Sequence, residues 1–344
     1  LDNSRRLASL DAFRGLTMIL MVLVNTAGSS AVYTQLEHSP WHGLTLADVI
    51  FPSFVWIVGI TTTMSSRTKA VGPILLRSLK MFLLGLCVYI APGFSFTTQR
   101  ITGVLQRIAI CYLVGSLLYL YTSRRVQVIC IVVLLGGYWA LMAAGGDFSI
   151  EGNLAHAVDH AVLGMHNYHN TKTWDPEGIL STLPAIATML LGMMAGYELR
   201  REAGMEEKLK RLAIAGVLLL AAGLLVNIWF PINKKLWTSS FVLVCAGIDC
   251  LVLPAFVYWI DMKGRARLAK PLIVMGMNAI AVYMLSELLD EALSMAGWKR
   301  VIFRTCFQPL ASPPMASFLY AAAFTLLMYA AAYVLYRRKL FLRL

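Results

Sequence analysis

Apolar runs of roughly 20 residues recur along almost the whole chain, at about 7–27, 44–65, 73–91, 101–121, 125–144, 178–199, 209–229, 236–260, 270–291 and 314–336. A run of that length crosses a hydrocarbon core of about 30 Å, and with no water there to satisfy the backbone each run must close its own hydrogen bonds as a helix. The reading is an all-α polytopic membrane protein of about ten spans. Its 344 residues are expected to form a single transmembrane domain, with the outer loop 145–177 as its only sizeable extramembrane segment. The composition agrees, since 58% of the residues are hydrophobic and only 14% charged.

The 30 Lys and Arg provide a second test. With the N-terminus cytoplasmic, 21 of them fall on the inner side and 7 in outer loops, while Arg14 and Arg107 lie within spans. That bias predicts both termini in the cytoplasm. It also accounts for the net charge of +12, so membrane lipid is the expected partner and no nucleic acid is implied. Five of the six cysteines fall within spans, only Cys306 lies in a loop, and no disulfide framework emerges.

All six histidines, His38, His42, His156, His160, His166 and His169, fall in predicted outer loops. His156-x-x-x-His160 and His166-x-x-His169 have helical metal-site spacing, but no cysteine accompanies them and carboxylates are few nearby, so no metal is assigned. His38 differs because it hangs over the outer mouth of the first helix pair, in a connection without Lys or Arg. A neutral imidazole, with a usual pKa of about 6.5, can take a proton from an attacking amine near neutral pH. Asp48 can orient that ring through one nitrogen, and Asn25 can donate to a developing oxyanion. Thr45-Leu-Ala-Asp48 also reads as a helix capping box, and the two roles can coexist. Pro52 is expected to kink or break the helix just below.

The intramembrane arginines need partners or water. Arg14 can pair with Asp11, three residues earlier on one face. Arg100 and Arg107, seven apart around Gly103, are expected on one helical face, with Arg107 either paired to Asp48 or Asp249 or touching a ligand. Trp174-Asp175-Pro176-Glu177-Gly178 reads as an N-cap followed by Pro at the first helical position. Asn233-Lys234-Lys235-Leu-Trp237-Thr238-Ser239-Ser240 mixes groups that suit a sugar, although Trp237 and the lysines also fit interfacial anchors.

Taken together, Arg6-Leu-Ala-Ser-Leu-Asp11-Ala-Phe-Arg14-Gly15, Val24-Asn25, His38-Ser-Pro-Trp41-His42-Gly43-Leu-Thr45-Leu-Ala-Asp48, Gly103-Val-Leu-Gln106-Arg107, the Trp174–Gly178 segment, Asn233-Lys-Lys-Leu-Trp237, Gly276-Met-Asn278 and Leu335-Tyr-Arg337-Arg-Lys339 resemble the heparan-α-glucosaminide N-acetyltransferase family. The motifs occur in that family's order from end to end of the chain. The resemblance implies transfer of an acetyl group from cytosolic acetyl-CoA, as co-substrate, to the amino group of a terminal glucosamine across the membrane. It puts a histidine matching His38 at the centre of catalysis, with Asn25 and Asp48 beside it. Arg14, Gln106, Arg107 and Asn278 are the expected acetyl-CoA residues, and His42, Asp175, Glu177, Asn233, Lys234 and Trp237 the expected acceptor residues.

The lysosomal member of the family has Asn where this chain has His42, which leaves the base assignment open between two imidazoles. A shorter outer loop, the absence of sequons and no counterpart of a long luminal N-terminal region point to a multi-pass protein of a bacterial inner membrane, and a homodimer is the expected assembly. The acceptor is then glucosamine or another amino sugar. Two other readings stand beside this one: acyl transfer to an exported polysaccharide or cell-wall acceptor, and solute transport, since buried Arg and Asn and a Pro-containing helix also mark transport paths.

Overall fold

The computed structural model describes residues 7–65, 70–90 and 95–342, and its regular elements among these residues are helices throughout. In chain order they are α1 (Ala8–Asn25), α2 (Leu46–Met64), α3 (Val71–Val88), α4 (Val104–Tyr121), α5 (Arg124–Ala144), the short α6 (Leu154–Leu163), α7 (Thr182–Leu199), α8 (Met205–Val226), α9 (Ser239–Phe256), α10 (Lys270–Met277), α11 (Ala279–Met295), the short α12 (Trp298–Ile302) and α13 (Pro313–Arg337). Nine of the described helices, all but α6, α10, α11 and α12, are long and apolar enough to cross a membrane. The apolar run read at 270–291 is not one straight helix, because α10 and α11 meet at Asn278 with a bend of 77°. Counted as one span, the pair brings the total to ten. Asn is a fitting residue at the break, since its short polar side chain competes with helical backbone bonding.

Pro52 lies inside α2, which runs on to Met64 without interruption. The expected break there does not occur. Proline costs one backbone bond, to the carbonyl four residues back, and the helix continues past it.

The chain packs as two compact units. One comprises Leu1–His38, Thr45–Phe51 and Ala255–Arg343, and the other Ser39–Leu44 and Pro52–Pro254. In the first unit α1 crosses α10 at backbone contact. A Cβ on Gly15 would lie 1.8 Å from the Leu272 carbonyl oxygen, and one on Gly276 would lie 1.8 Å from that of Asp11. Two glycines facing each other's backbone are what lets apolar helices approach this closely in lipid, where packing rather than water exclusion drives association. The exposed N–H groups at the start of α1 are capped from a distance by the Asp261 carboxylate, which accepts from Ala8 N at 3.1 Å and Ser9 N at 3.3 Å. In the second unit α3 packs on α4, and α4 and α5 both pack on α7.

Candidate active site

His38 and Asp48 belong to the same unit and meet directly. The imidazole Nδ1 lies 3.0 Å from Asp48 Oδ1. The other carboxylate oxygen, Oδ2, accepts from Thr45 N at 3.1 Å and Thr45 Oγ1 at 3.0 Å. One side chain therefore does both things expected of it: Oδ2 closes the cap of α2 and Oδ1 holds the ring. As a carboxylate Asp48 only accepts, so His38 Nδ1 carries the hydrogen of this bond and Nε2 keeps its lone pair. Asp48 is fully buried while the His38 side chain is 40% exposed, so the carboxylate is sheltered and the ring reaches the surface of the site.

Asn25, the last residue of α1, donates its Nδ2 to Glu287 Oε1 at 3.0 Å. Sequence reading missed Glu287. The signal available was an acidic residue inside an apolar stretch, Ala279–Met295. Arg14 pairs with Asp11 at 3.3 Å, as its spacing suggested. Asn278, at the α10–α11 break, is 1% exposed, and neither atom of its amide has a partner among the described residues. A buried amide left so is costly.

His42 belongs to the other unit, on a short loop held from several sides. Gly43 N donates to Ile232 O at 2.8 Å, Lys235 Nζ to Pro40 O at 2.5 Å, and Trp41 Nε1 to Phe148 O at 2.7 Å. Asn233 Nδ2 is 3.5 Å from His42 Nδ1, and partial burial lowers the His42 pKa from its ordinary value. The two imidazoles thus differ in kind: a carboxylate orients His38, whereas a neutral amide faces His42.

The 233–240 segment is a packed turn, not an open sugar platform. Asn233 Oδ1 accepts from Leu236 N at 2.9 Å and Thr238 Oγ1 from Asn233 N at 3.0 Å, while Ser240 Oγ donates to Phe230 O at 2.6 Å. Trp237 is 1% exposed, so neither a solvent-facing sugar platform nor an interfacial anchor describes it. Its indole donates to Thr188 Oγ1 at 3.1 Å, and its ring takes the Arg107 guanidinium at 4.9 Å. Lys234 beside it is half-buried.

Asp175 does not cap a helix. Ser181 precedes α7 instead, and Asp175 is held by Arg100 through Nε at 2.8 Å and Nη2 at 2.6 Å, with Glu177 on the same Nη2 at 2.6 Å. Arg100 precedes α4, so it shares no helical face with Arg107. It stacks on Tyr89 at 4.8 Å and Tyr168 at 4.4 Å. Burial works against its charge, but the paired carboxylates more than offset this and raise its pKa. Burial likewise pushes Asp175 up, and the Arg100 hydrogen bonds and charge bring it below the ordinary carboxylate value. For Asp159 on α6 burial dominates and pushes it to about 6, against the pull of its bonds from Ile179 N and Asp175 N and of the Arg107 charge.

Arg107 pairs with neither carboxylate suggested for it. Its Nη2 donates to Gly178 O at 3.1 Å and to Ser181 Oγ, while Asp249 takes Ser53 Oγ at 2.6 Å. Its Nε and Nη1, and both amide atoms of neighbouring Gln106, lack partners among the described residues. Gly85 makes room for the Gln106 amide, since a Cβ there would come within 2.3 Å of Oε1. His156 and His166 give ring nitrogens to the Ile150 and Gln99 carbonyls at 2.7 and 2.8 Å.

A family model described as heparan-alpha-glucosaminide N-acetyltransferase, catalytic, matches residues 6–225. Over 406 aligned positions the chain is 28% identical to the heparan-alpha-glucosaminide N-acetyltransferase of Homo sapiens, an alignment covering 98% of this chain and 59% of the human protein. The Mus musculus enzyme of that name is also 28% identical, with 99% of this chain and 61% of the mouse protein covered. The chain thus spans about three-fifths of the length of these relatives.

Proposed function

This chain belongs to the heparan-α-glucosaminide N-acetyltransferase family, and from that premise we propose that it transfers the acetyl group of cytosolic acetyl-CoA to the amino group of glucosamine or a terminal glucosaminide on the far side of the membrane. The observation that carries this reading is the His38–Asp48 pair, a buried carboxylate fixing a half-exposed imidazole through Nδ1. In the proposed reaction His38 Nε2 takes a proton from the acceptor amine as its nitrogen attacks the thioester carbonyl. The C–S bond then breaks, and the imidazolium returns the proton to the departing thiolate, so one N–H becomes one S–H. Asp48 holds the tautomer and favours the imidazolium that forms.

Acetyl-CoA is a substrate here, and the unpartnered amides of Asn278 and Gln106 suit its polar arm, with Arg14 and Arg107 supplying positive charge. For the acceptor sugar we assign Asn25 in the first unit and His42 and Lys234 in the second, where Asn233 positions His42 and Asp175, Glu177 and Trp237 form walls that hold that unit in shape. The cytoplasmic termini, the action of the whole chain as one membrane domain and a bacterial inner membrane as its address belong to the same proposal, supported by the distribution of basic residues.

The test is thiol release by purified protein given acetyl-CoA with and without glucosamine. Glucosamine-dependent release, with N-acetylglucosamine as product, is expected, along with its loss in His38→Ala and, in His42→Ala, a raised KM for glucosamine with turnover retained. Activity lost only in His42→Ala would assign the base to the other imidazole, and no glucosamine-dependent release would overturn the reading.

A further inference from the structure

The Asn25–Glu287 pair says which way the Asn25 amide faces. A carboxylate has no hydrogen to give, so the group 3.0 Å from Glu287 Oε1 must be the amide nitrogen. That fixes the carbonyl Oδ1 as the end of the amide turned away from Glu287. An acceptor oxygen backed by a carboxylate is a poor neighbour for a developing oxyanion, because a negative charge would meet the Glu287 charge through the amide. It is a good neighbour for an N–H donor carrying positive charge.

The surroundings fit such a ligand. Asn25 is exposed at the last position of α1 and Glu287 is half-buried on α11, so the amide is presented and its anchor is sheltered. Both belong to the unit that also carries His38 and Asp48, in which a second acid holds a second presented side chain in the same manner.

We propose that Asn25 and Glu287 form the subsite for the protonated amine of the acceptor, Asn25 receiving an N–H of the ammonium group and Glu287 orienting Asn25 while supplying the counter-charge. Glu287 is thereby the residue that selects amines over hydroxyls, and Asn25 acts on the nucleophile rather than on the oxyanion. The inference rests on acetyl transfer to an amine as the proposed function, and it gives that reaction its acceptor specificity. The ammonium first releases one proton to water, and the neutral amine nitrogen then passes its next one to His38 and on to the thiolate, as in the proposed reaction.

The test compares glucosamine with glucose, which differs at the amine alone. Binding of each is measured by calorimetry on the full-length protein in detergent, in a His38→Ala background, so that no turnover intrudes. Glucosamine is expected to bind about 10- to 100-fold more tightly than glucose, the range of a charge-assisted hydrogen bond. Glu287→Gln, which keeps the size of the side chain and an acceptor for Asn25, should bring the two ligands within about threefold of each other by loss of that bond. Adding Asn25→Asp to Glu287→Gln returns one negative charge to the pair and should restore most of the preference, a rescue that a purely structural role for Glu287 would not produce.

Equal binding of the two sugars by the Glu287 protein, or an undiminished amine preference in Glu287→Gln, would overturn the inference. So would failure of the double variant to regain selectivity while remaining folded by thermal melt. Because these readings are of binding, they stand apart from the assay of acetyl transfer: an active enzyme whose selectivity ignores Glu287 sinks this assignment alone, and absence of turnover with any amine sinks the function.

Discussion

Asp48→Asn separates the two roles that one carboxylate combines. The side chain is fully buried; its Oδ2 accepts from the N–H and hydroxyl of Thr45 and its Oδ1 holds His38. Asn has one oxygen and one NH2 group. If its oxygen stays on the Thr45 N–H and hydroxyl, its NH2 faces His38 Nδ1 and must donate to it, which moves the imidazole hydrogen to Nε2 and removes the lone pair needed as base. The cap then survives, with a stability loss of about 1 kcal/mol or less, while turnover falls about 10²-fold and as much as 10⁴-fold, as for a base trapped in the wrong tautomer. Thr45→Ala is the complement: it removes the hydroxyl bond, costs about 1 kcal/mol, and leaves His38 paired, so turnover should stay within a few-fold. The assay is thiol release at saturating substrates, read beside thermal melts of both variants. Turnover within tenfold of wild type in Asp48→Asn, with stability lost, would leave Asp48 as a helix cap only and refute the relay.

Gly276→Ala drives a methyl group against the Asp11 carbonyl at 1.8 Å, so the α1–α10 crossing must open; a loss of about 3 kcal/mol is expected in thermal or denaturant melts, against near-neutrality for Gly204→Ala, where nothing lies within 4 Å. Asp159, pushed by burial to about 6, keeps a proton in the folded state that the unfolded chain has already released, so its contribution to stability is greatest below pH 4 and falls as pH rises to about 6. The slope amounts to about 3 kcal/mol over that window and should flatten in Asp159→Asn, as melts taken between pH 4 and 7 will show. Arg100→Gln leaves Asp175 and Glu177 buried without their cation; limited proteolysis within 145–177 should quicken, and stability should fall by about 3–5 kcal/mol.

The helices were readable because lipid leaves the backbone one solution, and the ends of most spans fell within a few residues of the apolar runs. The break at Asn278 was not readable, since an asparagine between apolar halves looks the same in a straight helix. The cap and the His38–Asp48 pair both followed from local spacing. For Arg107 side-chain charge suggests a carboxylate partner as one of two alternatives, and the structure gives it a carbonyl, a hydroxyl and an indole face instead. Trp237 reads from sequence as a sugar-facing ring with an interfacial anchor as the alternative, and its burial with the N–H bonded to Thr188 was not legible from an indole beside lysines. Asp175 looked like a cap because Pro follows it, and only the Arg100 contact, 75 positions away in sequence, shows otherwise. Glu287 escaped for the same long-range reason, being 262 positions from Asn25.

Transfer across a sealed bilayer is the most direct test of the central claim. Purified protein is reconstituted in proteoliposomes of defined orientation, with acetyl-CoA on one face and glucosamine on the other, in both arrangements, and N-acetylglucosamine is measured on the acceptor side for wild type and His38→Ala. The account expects product on the acceptor side from wild type and none above background from His38→Ala. Product that forms only when both substrates share a face, or that persists in folded His38→Ala, would contradict it.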